Sequence, residues 1–271
     1  MLSEKTELLS KGLYKDIPDV ITLKSLPTSS ELEFVGSEDF DKTMLDEIFP
    51  QAIEEKFDYY NLFELDYQWI CRCLRILNYG PYYTTNTVFC GDCGQVSSGE
   101  FQADLRTVEA IPIPKDFKND ITISTDEFID FDGEVKIKLL TMRETLSAYS
   151  DAAFKTKSGK INRELARICY MVTKFGNKTG LTPIEVKTLV LRDMSSADYI
   201  VLKDRVTSLT DYGLRAGGTI ACPKCGSMKA SYIALVDDRF FRPTVGDLKR
   251  WRDDKRAGGN ENPTGDKTKT V

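Results

Sequence analysis

Along the chain the spacing of apolar residues switches several times between a two-residue and a three-to-four-residue period, and the switches divide it into segments. Val20-Ile21-Thr22-Leu23 reads as a short strand, and Leu26 to Glu31 as a turn into a helix, with Thr28 and Glu31 spaced as a capping box. Between Leu62 and Leu77 the residues Leu62, Leu65, Trp69, Ile70, Cys73, Ile76 and Leu77 recur at helical spacing. That helix is expected to stop at Asn78-Tyr79-Gly80-Pro81, where Gly suits the left-handed cap and Pro cannot continue. From Pro81 to Leu140 the texture turns to β. Tyr82 to Phe89, Phe101 to Leu105, Ile121 to Ile123 and Val135 to Leu139 read as strands.

Residues 141–210 then read as all helical. Thr141 and Glu144 form a second capping box, Ile161, Leu165, Ile168, Cys169 and Val172 form a stripe, and Thr182-Pro183-Ile184-Glu185 combines an N-cap, Pro at the first helical position and a reciprocal Glu. Ser195 to Leu209 reads as a further helix. Gly217-Gly218 marks a return to β, with Thr219-Ile220-Ala221 and Ala230 to Val236 flanking a turn. A charged helix is expected from Val245 to Arg256, and 257–271 has too little apolar content to pack.

Composition narrows the chemistry. The 271 residues include 41% hydrophobic and 29% charged side chains, ordinary for a folded protein. No apolar run approaches the ~18 to 20 residues that span a bilayer, and the opening Met1 to Thr6, with Glu7, lacks the order of a secretory signal. With 42 acids against 37 bases, the net charge of −5 argues against a nonspecific grip on phosphate backbones. Histidine is absent, which removes every mechanism that needs imidazole as base, shuttle or ligand. The Asp and Glu residues fall in no phosphate loop, glycine fingerprint or metal-carboxylate motif, so no enzyme and no small-molecule substrate are expected.

Seven cysteines, an odd number, favour reduced thiols or metal ligation over a disulfide framework. Four of them fall in two matching segments, Phe89-Cys90-Gly91-Asp92-Cys93-Gly94 and Ala221-Cys222-Pro223-Lys224-Cys225-Gly226. Each is a Cys-x-x-Cys turn entered from an apolar strand and followed by Gly, the form of a zinc knuckle. Cys90, Cys93, Cys222 and Cys225 together supply the four thiolates of a closed, structural Zn²⁺ site. An iron–sulfur cluster would also use four cysteines, and a thiol redox pair remains a third reading. Cys73 and Cys169 sit in apolar stripes as small core residues; Cys71 falls opposite its stripe and receives no role.

The fold class expected is α+β: a split four-cysteine zinc-ribbon β module with an N-terminal helical region and a helical insertion between the knuckles. The divisions are 1–79, an α+β region ending in the amphipathic helix; 80–140, the first half of the β/zinc-ribbon module; 141–213, the helical insertion; 214–244, the second ribbon half; and 245–271, the charged helix and tail. The two ribbon halves carry five bases (Arg215, Lys224, Lys229, Arg239, Arg242) and five acids (Asp92, Glu100, Asp104, Asp237, Asp238), a balance unlike that of a phosphate-binding ribbon.

Leu9-Ser10-Lys11-Gly12-Leu13-Tyr14, Ile21 to Leu26, Ser30-Glu31, Leu62-Phe63-Glu64-Leu65-Asp66, Trp69, Leu74-Arg75, Tyr79-Gly80-Pro81-Tyr82-Tyr83 and the Cys90 to Cys93 turn occur in that order. In this order they resemble the baseplate hub proteins of T-even-like, contractile-tailed bacteriophages. The resemblance covers about the first third of the chain. It implies a non-enzymatic role in the virion, as a component or assembly factor of the baseplate hub, in contact with other phage tail and baseplate proteins. A hub part buries surface against its neighbours, so Tyr79, Tyr82 and Tyr83 are expected as an exposed aromatic contact, with Tyr59 and Tyr60 nearby. The alternative is a zinc-ribbon nucleic-acid-binding or transcription-associated protein.

Overall fold

The structure is a computed structural model that describes residues 2–27, 29–30, 39–209, 211–215, 217–233 and 238–256, Asp238 and Arg239 by backbone alone. The Thr28/Glu31 capping box and the expected tail from 257 onward lie outside these residues. Strands β1 (Ser3–Glu7) and β2 (Val20–Lys24) pair antiparallel. Next come α1 (Phe40–Thr43), a π-helical turn (Met44–Ile48) and α2 (Phe49–Ala52), which follow one another without a break and bury Met44, Leu45, Ile48, Phe49 and Ala52. No helix was expected here. Pro50 looks like a breaker in sequence, but it occupies the first turn of α2, where a missing N–H costs no hydrogen bond.

The strongest apolar stripe becomes α3 (Glu64–Tyr79), which ends at Gly80, whose N–H donates to the Ile76 carbonyl. Its buried residues include the pair Asp66 and Arg75, both fully enclosed. Asp66 accepts from the N–H groups of Leu9 (2.7 Å) and Ser10 (3.2 Å), from the Ser10 hydroxyl and from Tyr14 Oη (2.6 Å). Arg75 donates to the carbonyls of Phe240 (2.7 Å), Gly80 (2.7 Å) and Tyr82 (2.8 Å). Buried charges are tolerated only with such full sets of partners. One helix thus fixes the N-terminal segment at its start and the ribbon strand at its end. Cys71, unassigned from sequence, is fully buried because α3 packs on more than the one face its stripe defines.

The chain then forms a hairpin of β3 (Tyr82–Cys90) and β4 (Gln95–Asp104), and β5 (Ala110–Ile111) follows. Strands β6 (Ile121–Ile123) and β7 (Val135–Ile137) lead to helices α4 (Met142–Ser150) and α5 (Arg163–Met171), a hairpin of β8 (Val172–Phe175) and β9 (Lys178–Thr179), and helices α6 (Pro183–Asp193) and α7 (Ser196–Leu209). The chain returns through β10 (Gly213–Leu214), β11 (Gly217–Ile220) and β12 (Ala230–Ile233) to α8 (Val245–Arg256). The expected capping boxes at Thr141/Glu144 and Thr182/Glu185 are both formed.

Two four-stranded antiparallel sheets result, ordered β11-β12-β3-β4 and β6-β7-β8-β9. They correct the expected divisions in two places. The strands at 121–123 and 135–137, assigned to the ribbon half 80–140, pair with β8 and β9 in the second sheet. The segment 141–213, read as all helical, contains the β8–β9 hairpin: the stripe through Val172 is helical only to Met171, and Gly176 at φ 57 opens the two-residue turn to Lys178. The inserted unit is also closed at its neck, where β5 pairs with β10. Its core of Ile123, Val135, Ile137, Ile168, Val172, Val186 and Leu202 meets α3 through Phe63 and Leu65.

Helix α8 lies against β3 and α3. The Trp251 ring covers Gly80, and a Cβ there would come within 2.3 Å of it. Gly80 has φ 78 besides, whereas Gly12, at φ 82, has open space around it. Gly12→Ala should therefore cost only the backbone strain, about 1 kcal/mol. Gly80→Ala should cost clearly more and shift tryptophan emission as α8 loses its seat. Chemical denaturation followed by fluorescence checks both.

Candidate metal centre

The β3–β4 turn and the β11–β12 turn sit side by side because β12 pairs with β3, with Ala230 opposite Cys90. Each knuckle is built by its backbone. In the second, the Cys222 N–H donates to the Ser227 carbonyl (2.7 Å) and the Gly226 N–H to the Cys222 carbonyl (2.9 Å). Gly94 and Gly226 occupy the same position after their Cys pairs, at φ 66 and φ 74, with nothing near enough to obstruct a Cβ. The requirement for glycine there is therefore conformational. Side chains tie the two turns together: Ser227 Oγ donates to Asp92 (2.5 Å) and Lys224 Nζ to Gln95 Oε1 (3.1 Å).

Cys90, Cys93, Cys222 and Cys225 bring their four sulfurs within 4.8 Å of one another. Cys90 and Cys225 are 3.7 Å apart, and Cys93 and Cys222 3.9 Å. These separations are far beyond a disulfide bond of about 2.05 Å. They match the edge of about 3.8 Å that a tetrahedron with metal–sulfur bonds near 2.3 Å requires. Val88, Ala230, Phe101 and Ile220 back the cluster with apolar packing.

The electrostatics are those of four thiols sharing one space. The N–H groups of Cys225 and Lys224 aim at the Cys222 sulfur and pull its thiol down to about 6. At Cys225 the Ser227 N–H pulls the same way, but the neighbouring sulfurs, Cys222 foremost, together with burial push the thiol up to about 12. Without a cation only part of the quartet ionises; a divalent cation would hold all four as thiolates. The remaining thiols lie elsewhere. Burial pushes Cys73 and Cys169 each up to about 12 and Cys71 well above its ordinary value.

The expected aromatic contact is overturned. Tyr79 and Tyr82 are buried and Tyr83 is half-buried, because α8 and the ribbon close over the end of α3. Tyr82 is hydrogen-bonded to Asp254 and lies under the Arg250 guanidinium at 4.2 Å, and Tyr79 lies beside Arg75. Tyr59 is buried too, and Tyr60 is half-buried and donates to Asp46. Among the described residues, apolar side chains that face out from the ribbon include Phe89 and Val96, opposite one another across β3 and β4, and Ile233 on β12; they are 50%, 56% and 66% exposed. An alternating strand that shows Val88 and Cys90 to the core must show Phe89 to the other face. The alternation of Val88, Phe89 and Cys90 carries that signal in the sequence itself.

Comparison of the chain with protein-family models, with curated proteins and with solved structures gave no match.

In native, metal-free protein a chromogenic disulfide reagent at pH 8 should modify the cluster cysteines and leave Cys71, Cys73 and Cys169 untouched until denaturant is added. Four thiols reacting before unfolding and three after it is the expected count.

Proposed function

We propose that this protein is a zinc-braced, non-enzymatic tail protein of a contractile-tailed bacteriophage, a component or assembly factor of the baseplate hub. The observation that carries the zinc part is the meeting of four sulfurs within 4.8 Å of one another, two pairs of them 3.7 and 3.9 Å apart. A soft, all-thiolate quartet suits Zn²⁺, and four protein ligands leave no position for water or substrate, so the ion braces rather than catalyses. The brace is worth having. Between Cys93 and Cys222 lie 128 residues, and closing a flexible loop of that length costs on the order of 4 kcal/mol.

The phage part rests on the order of motifs in residues 9–93, and their structural use supports it. Ser10, Tyr14 and Asp66 form one buried hydrogen-bonded set, and Arg75, Gly80 and Tyr82 another. The motif residues are thus fold determinants, the kind a family of assembly proteins would share without sharing an active site. The outward ribbon face with Phe89, Val96 and Ile233 is the surface offered to a neighbouring tail protein. The acidic balance of the chain weighs against the nucleic-acid alternative.

Elemental analysis should find one zinc per chain, lost when both Cys222 and Cys225 become Ser, and chelation should lower the melting temperature by several degrees. A chelator that removes the zinc and leaves the melting temperature unchanged would reject the brace. In the native phage, deleting the gene should leave heads and tail parts but few complete baseplates. The double substitution Phe89→Ser, Val96→Ser should keep the zinc and the melting temperature yet lower baseplate yield at least tenfold. Normal tails from the deletion, or salt-sensitive DNA binding at micromolar protein, would favour the alternative.

A further inference from the structure

The ribbon sheet β11-β12-β3-β4 has two unlike faces. The inner one carries Val88, Cys90, Ser97, Ala230 and Tyr232, all buried. The outer one follows from the register. Val96 pairs with Phe89, Phe89 with Ser231 and Ser231 with Thr219, which makes one row of side chains across all four strands. Ser98, Thr87, Ile233 and Gly217 make the next row, since Thr87 pairs with Ser98, Gly217 with Ile233, and Val88 with Tyr232 one step away. Every residue of the two rows is exposed except Gly217, which is half-buried.

Two properties set this face apart. The first is that it holds no charge, in a chain whose side chains are 29% charged. Lys229, two residues before Ser231, and Glu100, two residues after Ser98, lie just beyond its ends. Charged side chains are costly to desolvate, so a face without them is one that a partner can dry. The second property is the distribution of size. In the first row the bulk lies on β4 and β3, as Val96 and Phe89, and the small side chains lie on β12 and β11, as Ser231 and Thr219. In the second row the one large residue, Ile233, lies on β12.

A two-fold axis that runs along the strands, in the plane of contact between two such faces, lays β4 over β11 of the second sheet and β3 over its β12. Each large residue then meets a small one. Phe89 lies over the partner's Ser231, Val96 over the partner's Thr219 and Ile233 over the partner's Thr87, and Ser98 lies over the partner's Gly217. Sheets that pack face to face about 10 Å apart interdigitate in this way.

We infer that the outer ribbon face binds the same face of a second copy of this chain in a two-fold dimer. The inference rests on the reading of that face as a contact surface and names its occupant. The two rows offer far fewer positions than the roughly 20 to 30 residues a side of a stable interface, so in free solution the dimer is weak, half-formed at about 0.1 mM protein. Because the contact is self-complementary, association closes at two copies.

Sedimentation equilibrium of the full, zinc-loaded chain, from micromolar to millimolar concentration, tests this. A monomer–dimer equilibrium is expected, at least as strong at about 1 M salt, where exposed charge pairs are screened. Thr87→Lys puts a charge into the contact and should weaken dimerisation at least tenfold. Ser231→Leu separates the proposed packing from general stickiness: it adds apolar surface but fills the space of the partner's Phe89, so it too should weaken the dimer at least tenfold. Adding Phe89→Ser to it should restore association to within a few-fold of wild type. These positions are exposed, so the variants should keep the zinc content and melting temperature. Monomer alone at millimolar concentration, growth beyond dimers, loss of association at high salt, tighter association in Ser231→Leu or no effect of Thr87→Lys would overturn the inference. A strict monomer together with the reduced baseplate yield of Phe89→Ser, Val96→Ser would assign the face to a different protein, whereas a dimer with normal yield would sink the role of the face in the phage.

Discussion

Four sulfurs from two turns separated by 128 residues must meet within 4.8 Å, and the course of the chain is arranged around that requirement. The β3–β4 hairpin presents one pair at its turn. The second pair reaches it only if the chain comes back after the inserted unit and lays β12 along β3, so the register that sets Ala230 opposite Cys90 is also what assembles the cluster. The insertion can be large because it is pinched at its base. The β5–β10 pair brings entry and exit together in the folded protein, close to the ribbon strands that carry the knuckles.

What holds the ribbon in place is helix α3 and its two buried charges. Asp66 and Arg75 do not pair with each other; each instead satisfies groups of a different segment, Leu9 to Tyr14 in one case and Gly80, Tyr82 and Phe240 in the other. Hydrogen bonds to charged groups contribute about 1.5–3 kcal/mol each, and stripping one partner leaves a buried charge uncompensated. The arrangement is therefore specific as well as stabilising: a slip of either segment would orphan a charge in the core. Glycine at position 80 belongs to the same design, since it turns the chain from α3 into β3 and makes room for Trp251.

Much of this was legible in the sequence wherever the signal was local. The α3 stripe, its stop at Gly80, the Thr141 and Thr182 capping boxes and the two Cys-x-x-Cys turns all depend on residues within a few positions of one another. Pairing between distant segments was not legible. Nothing in Ile121 to Ile123 says that its partner strand leads into Val172 to Phe175 rather than into the ribbon, because alternation fixes a strand but not its neighbour. The helix at 40–52 was hidden by Pro50, and the β8–β9 hairpin by a stripe that ran on into it. The tyrosines failed as a surface for a related reason. Their cover comes from α8, some 170 residues further along, and Asp254 and Arg250 are matched to Tyr82 only in three dimensions. Composition could not reveal that.

The central claim is that one zinc ion, held by sulfur alone, closes this fold. Zinc K-edge X-ray absorption on protein purified without added metal tests it in a single spectrum. The account predicts a first shell of four sulfurs at about 2.3 Å with no lighter ligand. A shell containing nitrogen or oxygen, an iron edge in place of zinc, or protein that carries no metal would contradict it.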